Sequence, residues 1–599
     1  MFNGFEMLIL ALPLFGAALL PLVGFLGESA KKWFAVLISA ITAGFVFYMI
    51  PKVWSGSPVG GNYGWIHQFG IDFTTYVDPI AAVMAAIAAG IGALVIVYST
   101  KYMEGQGGLS RYYVLVLIFI AAMIGLVFTD SLLVLYIFWE IVGLCSYSLI
   151  GFYHKDKKAA KAGMKAFIVT RIGDVGLFFA VMALYLHTGT FSIQELIVLV
   201  KDPAFDWVIA TDFGNINVLT LAAFGVLVGA AGKSAQVPLH TWLPDAMEAP
   251  TTISALIHAA TMVNSGVYLV ARTMPLFEGV NGWLTTVLWL GGITALLAAS
   301  LAIVEPDLKR VLAYSTVSQL GYMFFALGFG TAGVAVAMFH LLNHAIFKAL
   351  LFLGAGSVIH AVGTRNMYEM GGLKNTMKIT MITMGLGALA LSGIPPLSGF
   401  FSKDLIFHEA MHHSNYIALA VVAIAAVLTL VYTFKMFWLV FVGKPRANQA
   451  GHESPLPMTI PLIILAIGAV ASWALFDYMT YGFNLYNLGT HHTLGEFVKE
   501  TFTSAPFFVS LIVLALGGVV FFFRWNLGNI LKDNLTPVYN FMRMGYGFDI
   551  AYNKFVKLLR HGAWGSKRLQ TGDANYNAIG IVIALVILLA VFWFYGGVL

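Results

Sequence analysis

The feature that most constrains this 599-residue chain is the recurrence of apolar runs close to twenty residues long. A helix of about that length spans the roughly 30 Å hydrocarbon core of a bilayer. The runs fall at 7–26, 33–50, 79–99, 112–128, 130–152, 164–186, 215–242, 252–273, 282–304, 309–330, 333–361, 379–408, 416–442, 457–476, 505–523 and 577–597. They predict an all-α membrane protein of about sixteen transmembrane helices. Only 10% of residues are charged and 59% are hydrophobic, a composition no soluble core can bury. The start, Met1 to Glu6, has no basic segment, and no small-residue cleavage site follows the first run. That run is therefore expected to be a membrane helix rather than a cleaved signal.

Several function classes fall away early. A single cysteine, Cys145, cannot hold a thiolate iron–sulfur cluster or a disulfide framework within the chain. The net charge of +5 includes no basic run resembling a nucleic-acid patch. No nucleotide fingerprint, flavin motif or metal cluster is legible.

The cations are unevenly distributed. Loops after odd-numbered runs carry Lys31, Lys32, Lys101, Arg111, Lys155, Lys157, Lys158, Lys161, Lys309, Arg310, Arg365, Lys374, Lys378, Lys444 and Arg446, and the 524–576 segment adds more. Loops after even runs offer little beyond Lys52, Lys201, Arg272 and Lys499. The positive-inside rule then places the cation-rich loops in the cytoplasm and both termini outside the cell membrane.

Two runs contain helix breakers. The seventh holds Lys233-Ser234-Ala235-Gln236-Val237-Pro238 and then Pro244; the twelfth holds Gly393-Ile394-Pro395-Pro396 and Gly399. Broken helices survive at membrane depth only where protein or water satisfies the freed backbone groups. Placed correspondingly in two halves, they mark a transporter built from inverted repeats. The expected organisation is 1–111 for helices 1–3, 112–273 and 282–442 for two five-helix repeats, and 457–523 for helices 14–15. A lateral amphipathic segment over 524–576 and a final membrane helix over 577–599 follow. In the lateral segment Phe548, Ala551, Tyr552, Phe555 and Leu559 recur at helical spacing as one apolar stripe, while Lys554, Lys557 and Arg560 lie off it.

Ionisable residues inside membrane runs are costly and point to function. Glu140 lies near the middle of run 5, Lys233 in run 7 and His258 in run 8. His340, His344 and Lys348 repeat every four residues in run 11, along one helix face. Lys403 and Asp404 follow the second break. Arg171 and Asp174, three apart in run 6, are placed to pair, with a structural ion pair and a transport role equally open. Together these groups form a file suited to proton relay. Burial eases proton release from a lysine, a nearby carboxylate opposes it, and histidine exchanges protons near neutral pH. A moved or neutralised Glu140 is then expected to switch Lys233 between loaded and unloaded. Two plainer readings compete: His258 as a satisfied bundle histidine, and His340 with His344 as haem ligands. His187 and Lys201 are read as solvated loop residues.

The segments Gly232–Met247 and Pro250–Val263, the pattern His340-x3-His344-x3-Lys348, and Ser392–Asp404 resemble the antiporter-like subunits of type-I NADH–quinone oxidoreductase (complex I). Lys403 and the C-terminal extension make the subunit L (chain 5) branch the nearest likeness, and Gly547-Phe548-Asp549 with Tyr552 resembles the start of its lateral helix. The likeness implies that Glu140 and Lys233 form a charge-coupling pair, His258, His344 and Lys348 a central relay, and Lys403 the exit side. It implies no cofactor in this chain, with flavin, iron–sulfur clusters and quinone in partner subunits, and paralogous membrane-arm subunits as neighbours. The lateral segment, with Pro537, Gly545, Gly547, Gly562 and Gly565, is expected to be shorter and more broken than is usual there. A cation–proton antiporter subunit of the Mrp type is the alternative. Hydrogenases and F420H2 dehydrogenases use similar subunits.

Overall fold

The computed structural model of the chain describes residues 4–66, 71–211, 214–446, 451–524 and 532–567. The chain divides into two units, Met1–Tyr539 and Asn540–Leu599. In the first, the helices in chain order are α1 (Phe5–Val23), α2 (Glu28–Val53), α3 (Pro79–Tyr102), α4 (Leu109–Phe128), α5 (Leu132–Ile150), α6 (Lys157–Thr188) and α7 (Ile193–Lys201). There follow α8 (Val218–Lys233), α9 (Trp242–Asp245), α10 (Thr251–Ala259), α11 (Met262–Arg272), α12 (Met274–Phe277), α13 (Trp283–Val304), α14 (Leu308–Leu327) and α15 (Thr331–Val362). The last are α16 (Lys378–Ser392), α17 (Ser398–His412), α18 (Tyr416–Phe437), α19 (Leu456–Ala471), α20 (Leu475–Leu485), α21 (Leu494–Thr503) and α22 (Ala505–Arg524).

Among the described residues, twelve helical segments are long and apolar enough to cross a membrane. Three expected runs fall short for visible reasons. The seventh and twelfth are cut at their prolines, leaving α8 and α16 as short apolar helices. The tenth, α14, carries Ser315, Thr316, Ser318 and Gln319 through its middle and is correspondingly less apolar. The run at 577–597 lies outside the described residues.

The connections are more structured than expected. Two antiparallel hairpins, β1 (Asn62–Ile66) with β2 (Ile71–Thr74) and β3 (Val208–Thr211) with β4 (Gly214–Asn217), occupy loops between the helices. His187 and Lys201 are not loop residues: His187 closes α6 and hydrogen-bonds the Asp206 carbonyl oxygen at 2.7 Å, and Lys201 ends α7. The eighth run stands as a membrane span over Thr251–Arg272 but is interrupted at Ala260–Thr261, between α10 and α11. Side chains repair that break: Thr261 Oγ1 donates to the Leu256 carbonyl at 2.9 Å and Asn264 Nδ2 to that of Ala259 at 2.7 Å. No proline announces it.

The two five-helix sets are built alike. Contacts of α4 with α5, α5 with α6, α6 with α8 and α4 with α11 recur as α13 with α14, α14 with α15, α15 with α16 and α13 with α18. Both α6 and α15 have 32 residues and end on glycines in the left-handed region, Gly189 and Gly363. Even the entering strands match. Leu132 N–H donates to the Phe191 carbonyl at 2.8 Å and Ile193 N–H to that of Asp130 at 2.8 Å. Their counterparts are Leu308 to Arg365 at 2.9 Å and Met367 to Pro306 at 3.0 Å. Five helices is an odd number, so successive sets that each cross the bilayer run in opposite directions.

At one end of the bundle an ion-pair belt joins the sets. Asp245 pairs with Lys165 (2.6 Å) and Arg310 (3.5 Å), and Arg365 with Glu248 (3.3 Å) and Asp307 (2.7 Å). In the second unit a helix runs over Phe548–Lys567, where the apolar stripe is written. Its interruption falls at Gly545–Gly547, where Tyr546 has φ 54°. Gly562 and Gly565, expected to break it, lie within the helix.

Candidate functional site

The first cluster forms where α6 crosses α8. Glycines bring the helices together: a Cβ on Gly173 would lie 2.8 Å from the Val228 carbonyl oxygen, and one on Gly225 would lie 2.7 Å from that of Gly176. This close approach, typical of small residues between membrane helices, sets Asp174 of α6 against Lys233, the last residue of α8. Lys233 Nζ donates to Asp174 Oδ2 at 3.2 Å, and both side chains are at most 1% exposed. The other carboxylate oxygen, Oδ1, accepts from Trp139 Nε1 at 2.5 Å. Gly143 leaves room for the ammonium, since a Cβ there would stand 2.7 Å from Lys233 Nζ.

Glu140 does not hold Lys233 directly; its carboxylate meets the Arg171 guanidinium, while Arg171 Nε stands 3.9 Å from Asp174. The four groups alternate in sign: Glu140, Arg171, Asp174, Lys233. The first two members open sideways, with the Glu140 side chain 19% and that of Arg171 36% exposed.

The break after Lys233 is internally satisfied. Trp242 Nε1 donates to the Gly232 carbonyl at 3.1 Å, Ser234 Oγ to that of Val263 at 2.7 Å, and Val237 N–H to Thr294 Oγ1 at 3.1 Å. The peptide bonds preceding Pro238 and Pro396 are cis.

The second cluster is wholly buried. Ser315 Oγ accepts from Lys348 Nζ at 2.6 Å and from the Tyr432 hydroxyl at 2.6 Å. His340 uses both ring nitrogens, Nδ1 with Ser402 Oγ at 2.9 Å and Nε2 with Gln319 Oε1 at 3.1 Å. Lys403 Nζ reaches back across the second break to the Leu391 carbonyl at 2.6 Å. Asp404 accepts from Ser510 of α22 at 2.7 Å and lines a cavity of about 310 Å3 with His408, Glu409, His492 and Glu500. Neither Lys348 nor Lys403 has a carboxylate within ion-pair reach among the described residues.

His258 lies against Phe352, with ring centroids 4.6 Å apart and the rings tilted by 44°, and its two nitrogens, like those of His344, meet no hydrogen-bonding group among the described residues. His340 and His344 stand on one helix, and both nitrogens of His340 are engaged, which disfavours haem ligation. No cluster of His, Cys, Asp and Glu suited to a metal occurs among the described residues.

Sequence reasoning missed Trp139, Ser315, Gln319, Ser402 and Tyr432, which orient the charges. It also read Lys309 as a loop cation. Lys309 is buried, and its ammonium donates to the carbonyls of Met247 (2.8 Å) and Ala249 (2.6 Å). Lys435, equally unforeseen, donates to the Ile303 carbonyl at 2.7 Å. The legible signal for both was a lysine at the end of an apolar run, facing a chain segment that ends in free carbonyls.

Repeated five-helix sets, two broken helices and buried charges at their breaks define a multi-pass membrane subunit of the antiporter type. Residues 129–429 match the family described as NADH:quinone oxidoreductase/Mrp antiporter, transmembrane, and residues 65–113 match the N-terminus of complex I chain 5. The chain is 44% identical over 542 residues to F(420)H(2) dehydrogenase subunit L of Methanosarcina mazei, covering 85% of this chain and 77% of the relative. It is 39% identical over 561 residues to NADH-quinone oxidoreductase subunit L of Pseudomonas aeruginosa, covering 90% and 89%. Among solved structures, the Mrp complex from a Dietzia species matches with a TM-score of 0.81 at 29% identity, over 98% of this chain and 62% of that one. An archaeal membrane-bound sulfane sulfur reductase matches with a TM-score of 0.70 at 27% identity, over 81% and 96%. The chain belongs to the family of antiporter-like membrane subunits shared by NADH:quinone oxidoreductases and Mrp antiporters. Its relatives work within multisubunit membrane complexes.

Proposed function

We propose that this chain is a non-redox proton translocase within a membrane oxidoreductase, in the cell membrane with both termini outside. The observation that carries this reading is the line of ionisable groups that starts at partly exposed Glu140 and Arg171 and continues, buried, through Asp174, Lys233 and His258 to Lys348, His344, His340 and Lys403. Each charge has a polar partner, yet Lys348 and Lys403 lack counter-ions, so a proton on either is loosely held. The unpartnered nitrogens of His258 and His344 suit bridging water, because buried polar atoms are almost always paired. Protons pass along this line and leave by the cavity beside Asp404. The two repeats, 112–273 and 282–442, each supply one helix broken at proline. Electron transfer, with flavin, iron–sulfur clusters and quinone, belongs to partner subunits.

Coupling enters through the α5–α6 face. Arg171 and Glu140 open sideways there among exposed Leu144, Ile168, Ile172 and Phe179, a surface too charged for lipid and suited to a neighbouring membrane subunit. A second reading, cation–proton exchange, is favoured by the match to the Mrp complex over nearly the whole chain. Vesicles containing the purified complex separate the two. Electron-driven acidification that disappears in Lys348→Met supports the translocase, whereas sodium-driven proton exchange without a redox substrate supports the antiporter.

A further inference from the structure

We propose that the concavity between the α3–α4 loop and the α5–α6 loop seats the phosphodiester headgroup of an anionic phospholipid. It is about 790 Å3 and is walled by Gln106, Arg111, Phe152, Tyr153, His154 and Lys155. Arg111 is aimed rather than loose: Nη2 donates to the Phe152 carbonyl at 2.7 Å, Nη1 contacts His154 Nδ1 at 3.2 Å, and the guanidinium lies 4.8 Å from the Phe152 ring centroid. These contacts hold the plane of the guanidinium and leave further N–H donors for an anion.

The surrounding charge is not compensated. Arg111, Lys155, Lys157, Lys158 and Lys161 have no carboxylate within ion-pair distance among the described residues. Asp156 also lines the concavity and is exposed; its Oδ1 caps α6 by accepting the Lys158 N–H at 2.8 Å, which leaves one carboxylate against those five cations. Glu104, the other nearby acid, is committed to Lys101 at 2.9 Å and Lys32 at 3.2 Å. Hydrogen bonds from Lys101 and then Lys32 hold its carboxyl below the usual carboxylate range, so it stays charged and spends that charge on those two lysines. The net field over the concavity is therefore that of several free cations.

Its level along the bundle is that of a membrane interface. Trp33 neighbours Lys32, which binds Glu104 two residues before the wall, and Trp33 is exposed together with Leu37 and Ile41 one and two turns further along α2. Tyr153 is exposed on the concavity itself. Exposed Trp and Tyr beside cations, with apolar helix faces beyond, mark headgroup depth. A phosphodiester there meets a bidentate arginine donor and a lysine, while its acyl chains remain in the bilayer.

Native mass spectrometry of the purified complex, titrated with phosphatidylglycerol or phosphatidylcholine, tests the assignment. Each Lys or Arg near a membrane surface favours an anionic lipid by about fivefold, so Arg111→Gln/Lys155→Gln should weaken phosphatidylglycerol binding by roughly 25-fold. Lys374→Gln/Lys378→Gln removes the same charge elsewhere and should change it by less than about threefold. Equal loss in both pairs, or phosphatidylcholine bound as well as phosphatidylglycerol by the wild-type protein, overturns the proposal. So does displacement of the lipid by millimolar inorganic phosphate, which would make the seat one for a free anion. A photo-cross-linker at Tyr153 should label lipid; exclusive capture of another subunit overturns the proposal as well.

Discussion

Asp174 and Lys348 occupy the same place in two copies of one architecture, yet they carry opposite charge. Each is the eighteenth residue of a 32-residue helix, counting from Lys157 in α6 and from Thr331 in α15. Each is held by the eighth residue of the preceding helix, Trp139 in α5 and Ser315 in α14. The partners explain the charges. An indole N–H can only donate, so its partner must be an acceptor, and Asp174 accepts at 2.5 Å. A serine oxygen can accept, so it suits an ammonium, and Lys348 donates at 2.6 Å. At the neighbouring break the first repeat sets Lys233 on the carboxylate of Asp174, whereas Lys403 in the second meets a backbone carbonyl and lies 5.7 Å from the Tyr322 ring centroid. One repeat thus holds its lysine in an ion pair, and the other presents two lysines without acids. The first resembles a switch, the second a conduit.

The comparison is most sharply tested where it predicts complete loss. Lys348→Met removes the lysine at the centre of the conduit and should reduce electron-coupled acidification of vesicles to background, with assembly on native gels unchanged. Adding Lys233→Met or Lys403→Met should make nothing worse, as for groups acting in one path. Multiplying defects would argue for separate routes.

Converting the second repeat toward the first should come next in size. Ser315→Asp places a carboxylate beside Lys348, and an opposite charge at such range holds a proton more tightly by a factor of ten or more. Turnover should fall at least about tenfold, and Ser315→Asn should fall much less. Equal effects would show that shape rather than charge matters at this position.

Removing the acid from the first repeat should be milder but ordered. Asp174→Asn strips the direct partner of Lys233 and should cut pumping about tenfold. Glu140→Gln, acting through Arg171, should cut it severalfold. The reverse order would make Glu140 rather than Asp174 the acid that sets the charge state of Lys233.

The smallest effect is expected at Gly143. An alanine Cβ there would lie 2.7 Å from the Lys233 ammonium and must push it aside. Flexible side chains yield cheaply, so Gly143→Ala should slow proton transfer about two- to threefold while leaving thermal stability of the complex unaltered.

Much of this was legible in the chain itself. Hydropathy and proline act locally: an apolar run must be a helix in lipid whatever surrounds it, and Pro238, Pro395 and Pro396 stop a helix wherever they stand. The positions of Glu140, Lys233, His258, His340, His344, Lys348 and Lys403 inside such runs marked them as costly and useful. What one helix does to another was not legible. That Lys233 rests on Asp174, that Arg171 takes Glu140, and that Lys309 is buried against Met247 and Ala249 all follow from helix crossings set by Gly173, Gly176 and Gly225 and by the belt around Asp245. The break at Thr261 escaped notice because no proline stands at it and the side chains of Thr261 and Asn264 repair it. Spacing along a chain fixes which residues share a helix face; the distance between faces depends on how closely two backbones approach, and only the packed structure decides that.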